Sequence, residues 1–293
     1  MRSFPPLPSI VIEPIVRTAL LEDLGRGGDL TSDAVIPDDC TTTLVLNARQ
    51  SGIVAGLDLV AFAFLLVDPA IDMHIRRPDG SEVAAGETIA KISGPARGLL
   101  TAERTALNFL CHLSGIATAT AAMVEAVRGH RAKIVCTRKT TPGLRALEKY
   151  AVRVGGGANH RFGLDDGVLI KDNHIAIAGD IRAAVERART ATGHMVKIEV
   201  EVDSLEQLEI ALASYVDAVL LDNMSLEDLA RAVDMVGGRA ITEASGRVTP
   251  KTAPAIAATG VDLISVGWVT HSAPILDIGL DVPADANICT HLN

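Results

Sequence analysis

The feature that most constrains the fold is an alternation of two kinds of segment, which begins near residue 133 and continues almost to the end of the chain. Short apolar runs rich in β-branched residues alternate with amphipathic stretches of helical period. The runs cover residues 133–137, 167–171, 197–202, 218–223, 239–245 and 263–267. Because most of these runs are apolar throughout, they predict buried strands of a parallel sheet, each followed by a helix.

Units of this kind can close into a barrel or remain an open, doubly wound sheet. An open sheet concentrates its site at one switch point, whereas a barrel brings every strand end to the same mouth. Here every run ends in reactive or small polar residues, which are Thr137, Arg138, Lys139, Lys171, Glu201, Asp222, Ser245, Gly246, Ser265, Val266 and Gly267. We therefore predict a (β/α) barrel. Helices are expected at 142–153, 180–192, 204–214, 225–236 and 250–259.

The first 115 residues have a different pattern. Residues 41–49, 73–77 and 87–93 are strand-like, and Asp79-Gly80 is a turn signal. A long helix is expected from about 101 to 127. This pattern predicts a small α+β domain over residues 1–115, followed by the barrel domain over 116–275. The tail, residues 276–293, is expected to pack with the first domain.

Composition excludes several classes of protein. The net charge of −9 disfavours nucleic acid as a partner, since an acidic chain repels a phosphate backbone. The longest apolar run, residues 59–67, is far shorter than a membrane span, and the N-terminal residues do not resemble a signal peptide. The four cysteines are scattered without a CxxC pair, so we expect free thiols in a reducing, cytoplasmic environment.

Charge is distributed unevenly along the chain. Residues 131–171 contain nine Lys or Arg residues and three acidic ones, although the whole chain is acidic. Such a reversal predicts a funnel for a small, multiply charged anion. Arg145, Lys149 and Arg153 recur at helical spacing, so we expect them on a solvated helix face. The other candidates stand at strand ends or in a glycine-rich loop and are Arg138, Lys139, Arg161 and Lys171.

Three glycines at 155–157 precede His160 and Arg161. One glycine would suffice to end the preceding helix, so three predict a sharp turn or a close approach to a ligand. His160 and His174 suggest a metal site, but no third ligand stands at a familiar spacing, which disfavours zinc.

Two carboxylates, Glu201 and Asp222, end neighbouring predicted strands and should face one cavity. Alone they suit acid–base or glycoside chemistry, and they are also compatible with salt bridges at a barrel mouth. Beside a ring of cations they suit Mg²⁺ held largely through substrate phosphates. The small residues at the last two strand ends suit a phosphate. Phosphoribosyl pyrophosphate together with an aromatic acid meets these requirements.

Specific motifs then point to a known family. The segments are GDLTSDAVIP (28–37), TAERTALNFL (101–110), TRKTTPGLRALEKYAVRVGGGANHRFGL (137–164), LIKDNH (169–174), IEVEV (198–202), LLDNM (220–224), EASG (243–246) and ISVG with THS (264–272). With these the chain resembles quinolinate phosphoribosyltransferase, the carboxylating nicotinate-nucleotide pyrophosphorylase, along nearly its whole length. The resemblance implies an N-terminal α/β sandwich joined to an incomplete (β/α) barrel, in dimers or hexamers. It also implies formation of nicotinate mononucleotide, pyrophosphate and CO₂, a step of NAD biosynthesis.

The resemblance assigns a role to each matching position. Arg138, His160 and Arg161, near Thr137, would hold the quinolinate carboxylates, and Arg104 would come from the partner subunit. Lys139 and Lys171 would face the reacting centre and pyrophosphate. Glu201 and Asp222 would bind ribose hydroxyls and Mg²⁺. The 5′-phosphate would be held by Ser245, Gly246, Ser265, Val266, Gly267 and His271, and Arg247, which does not match the family pattern, would add a phosphate contact or narrow the pocket.

Two positions depart from the family pattern. Arg247 stands where the family has a glycine, and Trp268 stands where it has a small residue, so both alter the phosphate end of the pocket.

Two alternative functions remain open at this point. One is the related protein of molybdate transport systems, which lacks LIKDNH in this form, so Lys171 favours the biosynthetic enzyme. The other is a catalytically silent phosphate-binding barrel, which would normally have lost the charged residues retained here.

Overall fold

The computed structural model describes residues 5–283 and divides into two compact units. The first unit contains the described residues up to Ala119, the segment Thr141–Gly155 and the described residues from Ser272 onward. The second, barrel-forming unit contains Thr120–Thr140 and Gly156–His271. Thr141–Gly155 therefore belongs to the first unit, although the sequence places it among the barrel segments.

The described secondary structure alternates as predicted in the second half of the chain. In chain order the elements are α1 (Ser9–Leu24), α2 (Leu30–Val35), β1 (Thr41–Ala48), β2 (Gly52–Ile53), α3 (Leu57–Val67), β3 (Asp72–Ile75), β4 (Glu82–Val83), β5 (Thr88–Pro95), α4 (Ala96–Ala126), β6 (Lys133–Val135), α5 (Arg145–Val154), β7 (Val168–Ile170), α6 (Asp172–Ala178), α7 (Ile181–Ala191), β8 (Ile198–Val202), α8 (Leu205–Ala213), β9 (Ala218–Asp222), α9 (Leu226–Val236), β10 (Ile241–Ser245), α10 (Ala253–Ala258), β11 (Leu263–Ser265), α11 (Trp268–His271) and β12 (Ile278–Asp281).

The strand order confirms the barrel and excludes the doubly wound sheet. The six parallel strands of the second unit lie in the order β6-β11-β10-β9-β8-β7. From β7 to β11 neighbours in space are neighbours in sequence, and β6 then pairs with β11 instead of β7. This is a circular order with one opening, between β6 and β7, and it has no internal switch point. The unit is an incomplete (β/α) barrel.

The glycine run contributes to the open edge of this barrel. Gly155 ends α5, and Gly156 turns the chain with a φ of +88°. Ala158 then forms a single parallel bridge with Val135 of β6: its amide donates to Ile134 O over 2.8 Å, and Cys136 N donates to its carbonyl over 3.2 Å. The run is thus both a helix end and a sharp turn, and it adds one residue of ladder to β6.

Local sequence explains where several barrel helices begin. The hydroxyl of Ser204 accepts a hydrogen bond from Gln207 N, and that of Ser225 accepts one from Asp228 N. Both residues are N-caps that satisfy an amide left unpaired in the first helical turn. The helices α7, α8 and α9 each have a buried apolar face. The strands that lie between them in the chain, β8 and β9, are buried over most of their length.

The first unit is built around an antiparallel sheet in the order β12-β1-β5-β3, which confirms the α/β layer expected there. The strand nearest the chain's end, β12, pairs with β1, so the described part of the predicted tail joins this sheet. The remainder, residues 284–293, lies outside the described residues. Asp79 forms the predicted turn and accepts hydrogen bonds from Gly56 N, Leu57 N and Tyr150 Oη.

Three expectations need correction or comment. Lys149 is 1% exposed, so α5 does not present a solvated basic face. Cys111 and Cys136 are buried thiols outside any disulfide bond, as expected, but Cys40 is disulfide-bonded, so the prediction of free thiols is wrong for that residue. Among the described helices α4 alone is long and apolar enough to cross a membrane, and 56% of its most apolar stretch is buried inside the protein, as in a core helix.

Candidate active site

The carboxyl ends of the barrel strands surround a cavity of about 710 Å³. Of the sixteen predicted site residues, fifteen line this cavity; the exception, Arg104, is exposed on α4 in the first unit. The structure therefore brings together residues from every strand end of the barrel, as a circular strand order requires. The lining also includes residues that were not predicted as site residues, which are Leu169, Leu220, Asn223, Glu243, Val248 and Trp268.

Two arginines in the cavity wall each have a buried hydrogen-bond donor with no acceptor. The Nε atoms of Arg138 and Arg161 are buried and have no hydrogen-bond partner in the described structure. Arg161 is held through Nη1, which donates to Gly167 O over 2.9 Å. Burial, followed by the nearby charge of Arg138, lowers the pKa of Arg161, so the charged form of Arg161 is less favourable here than in water. Unpaired buried donors of this kind suit an anion with planar, acceptor-only oxygens, such as a carboxylate.

The two predicted carboxylates lie on neighbouring strands and face the same cavity, as expected. The Glu201 Oε2 atom is 2.8 Å from Lys171 Nζ, and Asp222 Oδ2 accepts a hydrogen bond of 2.7 Å from Asn223 Nδ2. Lys171 remains half-exposed, whereas Glu201 is mostly buried. This side of the cavity thus offers two carboxylate groups, with lysine as a mobile point charge beside one of them.

Loops after the last two strands form the third wall. Gly246 has a φ of +114°, and a Cβ there would meet the Asn223 side chain and come within 3.1 Å of its Cα, so only glycine fits. Arg247 also lies at positive φ, +47°, which is uncommon for a residue with a side chain. The Trp268 indole donates to Val248 O over 3.0 Å and ties this loop to the loop after β11.

One cluster of buried polar side chains was not predicted from the sequence. His160 Nε2 lies 2.9 Å from Glu199 Oε2 and 3.7 Å from Glu243 Oε2, and all three side chains are largely buried. The signal was present in the alternating sequence IEVEV, because residues two apart in a strand share a face, so Glu199 points the same way as Glu201. His174, the other histidine considered for a metal, instead accepts a hydrogen bond from Lys171 N through Nδ1.

Glu243 is the most perturbed carboxyl group of the cavity. Its side chain is 1% exposed, and its Oε1 atom has no hydrogen-bond partner in the described structure. Burial, followed by repulsion from Glu199, raises the pKa of Glu243 to about 7, against the attraction of His160. At neutral pH this carboxyl therefore holds its proton for much of the time, whereas an ordinary glutamate would have lost it.

Comparison with known families and proteins shows what this chain is similar to. Residues 116–281 match the family described as "Quinolinate phosphoribosyl transferase, C-terminal domain", and residues 29–114 match the corresponding N-terminal domain. The chain is 45% identical over 272 residues to a "Probable nicotinate-nucleotide pyrophosphorylase [carboxylating]" from Bacillus subtilis, covering 92% of this chain and 93% of the relative. It is 48% identical over 275 residues to the corresponding protein of Mycobacterium leprae, covering 91% and 95%.

Solved structures give the same result. NadC from Streptococcus pyogenes superposes with a TM-score of 0.92 at 41% identity, covering 95% of this chain and 98% of that one. The nicotinate-nucleotide pyrophosphorylase from Francisella tularensis superposes with a TM-score of 0.91 at 39% identity, covering 97% and 100%. The similarity therefore extends over both units and is not confined to the barrel.

The shifted pKa of Glu243 predicts a pH-dependent effect on stability. Because the folded-state pKa of about 7 exceeds the unfolded value, the folded state binds the proton more tightly, and stability falls as pH rises from about 4.5 to 7. Glu243→Gln removes this loss. We expect the variant's gain in unfolding free energy over the parent to be about 2 kcal/mol larger at pH 8 than at pH 5. Denaturant titrations at both pH values measure it, and an equal difference at the two would contradict the assignment.

Proposed function

This chain belongs to the quinolinate phosphoribosyltransferase family, and we propose that its cavity transfers the phosphoribosyl group of phosphoribosyl pyrophosphate to quinolinate. The products are nicotinate mononucleotide, pyrophosphate and CO₂, in a step of NAD biosynthesis. The observation that carries the proposal is the pair of buried, unpartnered guanidinium Nε atoms of Arg138 and Arg161. A catalytically silent barrel would have no need to keep such costly groups.

We infer that the acid substrate lies against these two arginines. Planar guanidinium groups match the two adjacent carboxylates of quinolinate, and His160 lies beside Arg161 in the same wall. Binding the acid supplies acceptors to donors that are otherwise buried and unpaired. The pyridine nitrogen would then be fixed relative to the sugar carbon that it attacks, which is the main contribution an enzyme makes to a displacement of this kind.

The sugar and pyrophosphate would occupy the side of the cavity that carries Lys139, Lys171, Glu201 and Asp222. As the bond from the ribose carbon to pyrophosphate breaks, positive charge develops on the ring and negative charge on the leaving group. Glu201 and Asp222 face the first charge, while the two lysines face the second. The ring nitrogen donates its electron pair to the sugar carbon, and the pyrophosphate oxygen keeps the pair of the broken bond.

The carboxylate oxygens of Glu201 and Asp222 are the hard donors that Mg²⁺ prefers, and both line the cavity, so the residues present fit this ion. We propose that these two residues hold it, largely through the substrate's phosphates. When bound, Mg²⁺ would neutralise charge on the departing pyrophosphate. Lys171 already pairs with Glu201, so an ion there would be accompanied by a shift of the lysine toward the phosphates.

The 5′-phosphate would lie at the loops after β10 and β11. Ser245, Gly246, Ser265 and Gly267 present small side chains and backbone groups there, and Arg247 and His271 add polar side chains at the same cavity wall. Small residues let a phosphate approach backbone amides closely. The Trp268–Val248 hydrogen bond supports this loop pair in a fixed arrangement.

Loss of CO₂ follows from the chemistry of the first product. Once ribosylated, the ring nitrogen is cationic, so the adjacent carbon can keep the electron pair when its bond to the carboxylate carbon breaks. CO₂ departs, and a proton from the surroundings replaces it on the ring carbon. The residues facing the ring therefore need to orient it and exclude water more than to supply a strong acid or base.

Incubation with quinolinate, phosphoribosyl pyrophosphate and Mg²⁺, with chromatography of nicotinate mononucleotide and trapping of CO₂, tests the function directly. We expect nicotinate, which lacks the 2-carboxylate, to show a kcat/KM at least ~100-fold lower than quinolinate, because it leaves a buried guanidinium Nε donor unpaired. Comparable turnover of nicotinate would refute the role given to Arg138 and Arg161.

A second prediction concerns the two carboxylates. Glu201→Ala and Asp222→Ala should each lower kcat by about 100-fold or more while changing the Kd for quinolinate less than threefold, since both act on the ribose and pyrophosphate side. Steady-state kinetics and calorimetric titration of quinolinate separate the two effects. Glu209→Ala, on the exposed face of α8, is the matched control and should leave both values unaltered. A near-normal kcat in either cavity variant would assign that carboxylate to the scaffold.

We further propose that the protein acts as a homodimer with shared active sites, each completed by Arg104 of the partner subunit. Arg104 and Asn108 are exposed one turn apart on α4, which supports their availability to another subunit. Large apolar side chains are also exposed on the first two helices, among them Ile10, Leu21 and Leu30. Exposed apolar side chains of this kind suit contact with a second copy.

Subunit mixing tests the shared site. Arg104→Ala and Lys171→Ala should each be inactive alone. After random exchange half of the dimers are mixed, and each mixed dimer carries one site with both residues intact, so activity should recover to about a quarter of the parent value. Exchange is verified independently by mass spectrometry of isotopically labelled subunits. No recovery after verified exchange would show that Arg104 serves its own chain or the scaffold.

A further inference from the structure

We propose that Glu199 is a positioning residue that acts through the ring of His160 to hold Arg161 in place for the acid substrate. This inference rests on the proposed function, because it deepens the account of how that same cavity recognises quinolinate. Glu199 is absent from the cavity lining, so its effect on the substrate must pass through its neighbours.

The first link is the contact between Glu199 and His160. Glu199 Oε2 lies 2.9 Å from His160 Nε2, and the two side chains are only 11% and 13% exposed. Glu243, the other carboxyl group nearby, lies 3.7 Å from the same nitrogen, which is too far for a hydrogen bond. The hydrogen bond of His160 Nε2 is therefore made to Glu199.

The second link joins His160 to the next residue. The Arg161 amide donates to His160 Nδ1 over 2.7 Å. Because Nδ1 acts as an acceptor, the ring proton lies on Nε2, from which it points to Glu199. The carboxylate thus selects the tautomer and the rotation of the ring, as carboxylates bonded to metal-binding histidines do. The ring in turn fixes the backbone at Arg161.

The third link explains why the backbone needs this support. Arg161 follows the barrel's one-residue bridge at Ala158, so no strand ladder holds it as one holds Glu201. The next two amides, those of Phe162 and Gly163, donate to the Asp166 carboxylate over 2.6 and 3.0 Å. The loop is therefore held by side chains, and His160 provides the support at the amide of Arg161 itself.

Two substitutions separate the reach of this side chain from its charge. Glu199→Gln removes the charge but keeps an oxygen at the same distance from His160. Glu199→Asp keeps the charge but shortens the side chain by one methylene and withdraws the acceptor from Nε2. We expect Glu199→Asp to raise the KM for quinolinate about 10-fold or more and Glu199→Gln to change it less than threefold. Neither should change the KM for phosphoribosyl pyrophosphate more than twofold.

A binding readout accompanies the kinetics. Trp268 is the chain's single tryptophan and lines the cavity, so its fluorescence reports occupancy. Benzene-1,2-dicarboxylate, which carries two adjacent carboxylates but no ring nitrogen to react, serves as the probe. Its Kd should rise for Glu199→Asp and not for Glu199→Gln. The pair Glu209→Asp and Glu209→Gln on the exposed face of α8 makes the same changes outside the cavity and should leave every value unaltered.

Three results would overturn the proposal. Glu199→Gln more damaging than Glu199→Asp would assign the residue an electrostatic role in place of positioning. An equal rise in both KM values would indicate a general loss of structure. Normal dicarboxylate binding by both variants would show that Glu199 plays no part in binding the acid substrate. The proposed function fails separately, if the parent enzyme does not convert quinolinate; the dicarboxylate titration still decides between positioning and charge in that case.

Discussion

The circular order of the parallel strands is the constraint on which the rest of the site depends. Parallel strands in this order send every carboxyl end to the same mouth, so residues as distant in sequence as Thr137 and Ser265 line one cavity. The order is interrupted between β6 and β7, where the chain uses three glycines and one bridged residue. Two of the cations proposed to bind the acid substrate lie beside this opening: Arg138 follows β6, and Arg161 follows the bridge.

The cavity and the cluster beside it bring groups of like charge close together. Arg138 and Arg161 disfavour each other, and their Nε atoms are buried without partners. Glu199 and Glu243 disfavour each other in the same way, and the second of them keeps its proton to near-neutral pH. Buried charges are stable only when they are paired or neutralised. The cluster around His160 satisfies this condition within the protein, whereas the Nε atoms of Arg138 and Arg161 lack acceptors that a dicarboxylate substrate would supply.

Much of the barrel was predictable because its signals are local. Each of the six predicted runs contains an observed strand, and the N-caps Ser204 and Ser225 begin helices where expected. The long helix was placed correctly but begins five residues earlier, at Ala96, since no capping signal marks its start. The error at Lys149 has a different origin. Helical spacing places side chains on one face of a helix, but it does not reveal what packs against that face.

The sequence by itself determined the fold class, the alternation of strand and helix, and thirteen of the residues that line the cavity, because strand ends and the glycine run are local signals carried by short stretches of residues. The resemblance to the family added two more, Arg247 and His271. Only the tertiary structure decided that Glu199 bonds to His160, that Glu243 lies beside them, and that Trp268 bonds to Val248. Each of these contacts joins residues at least 20 positions apart. Their geometry depends on how strands are registered around the barrel, and no local pattern of residue types specifies that register.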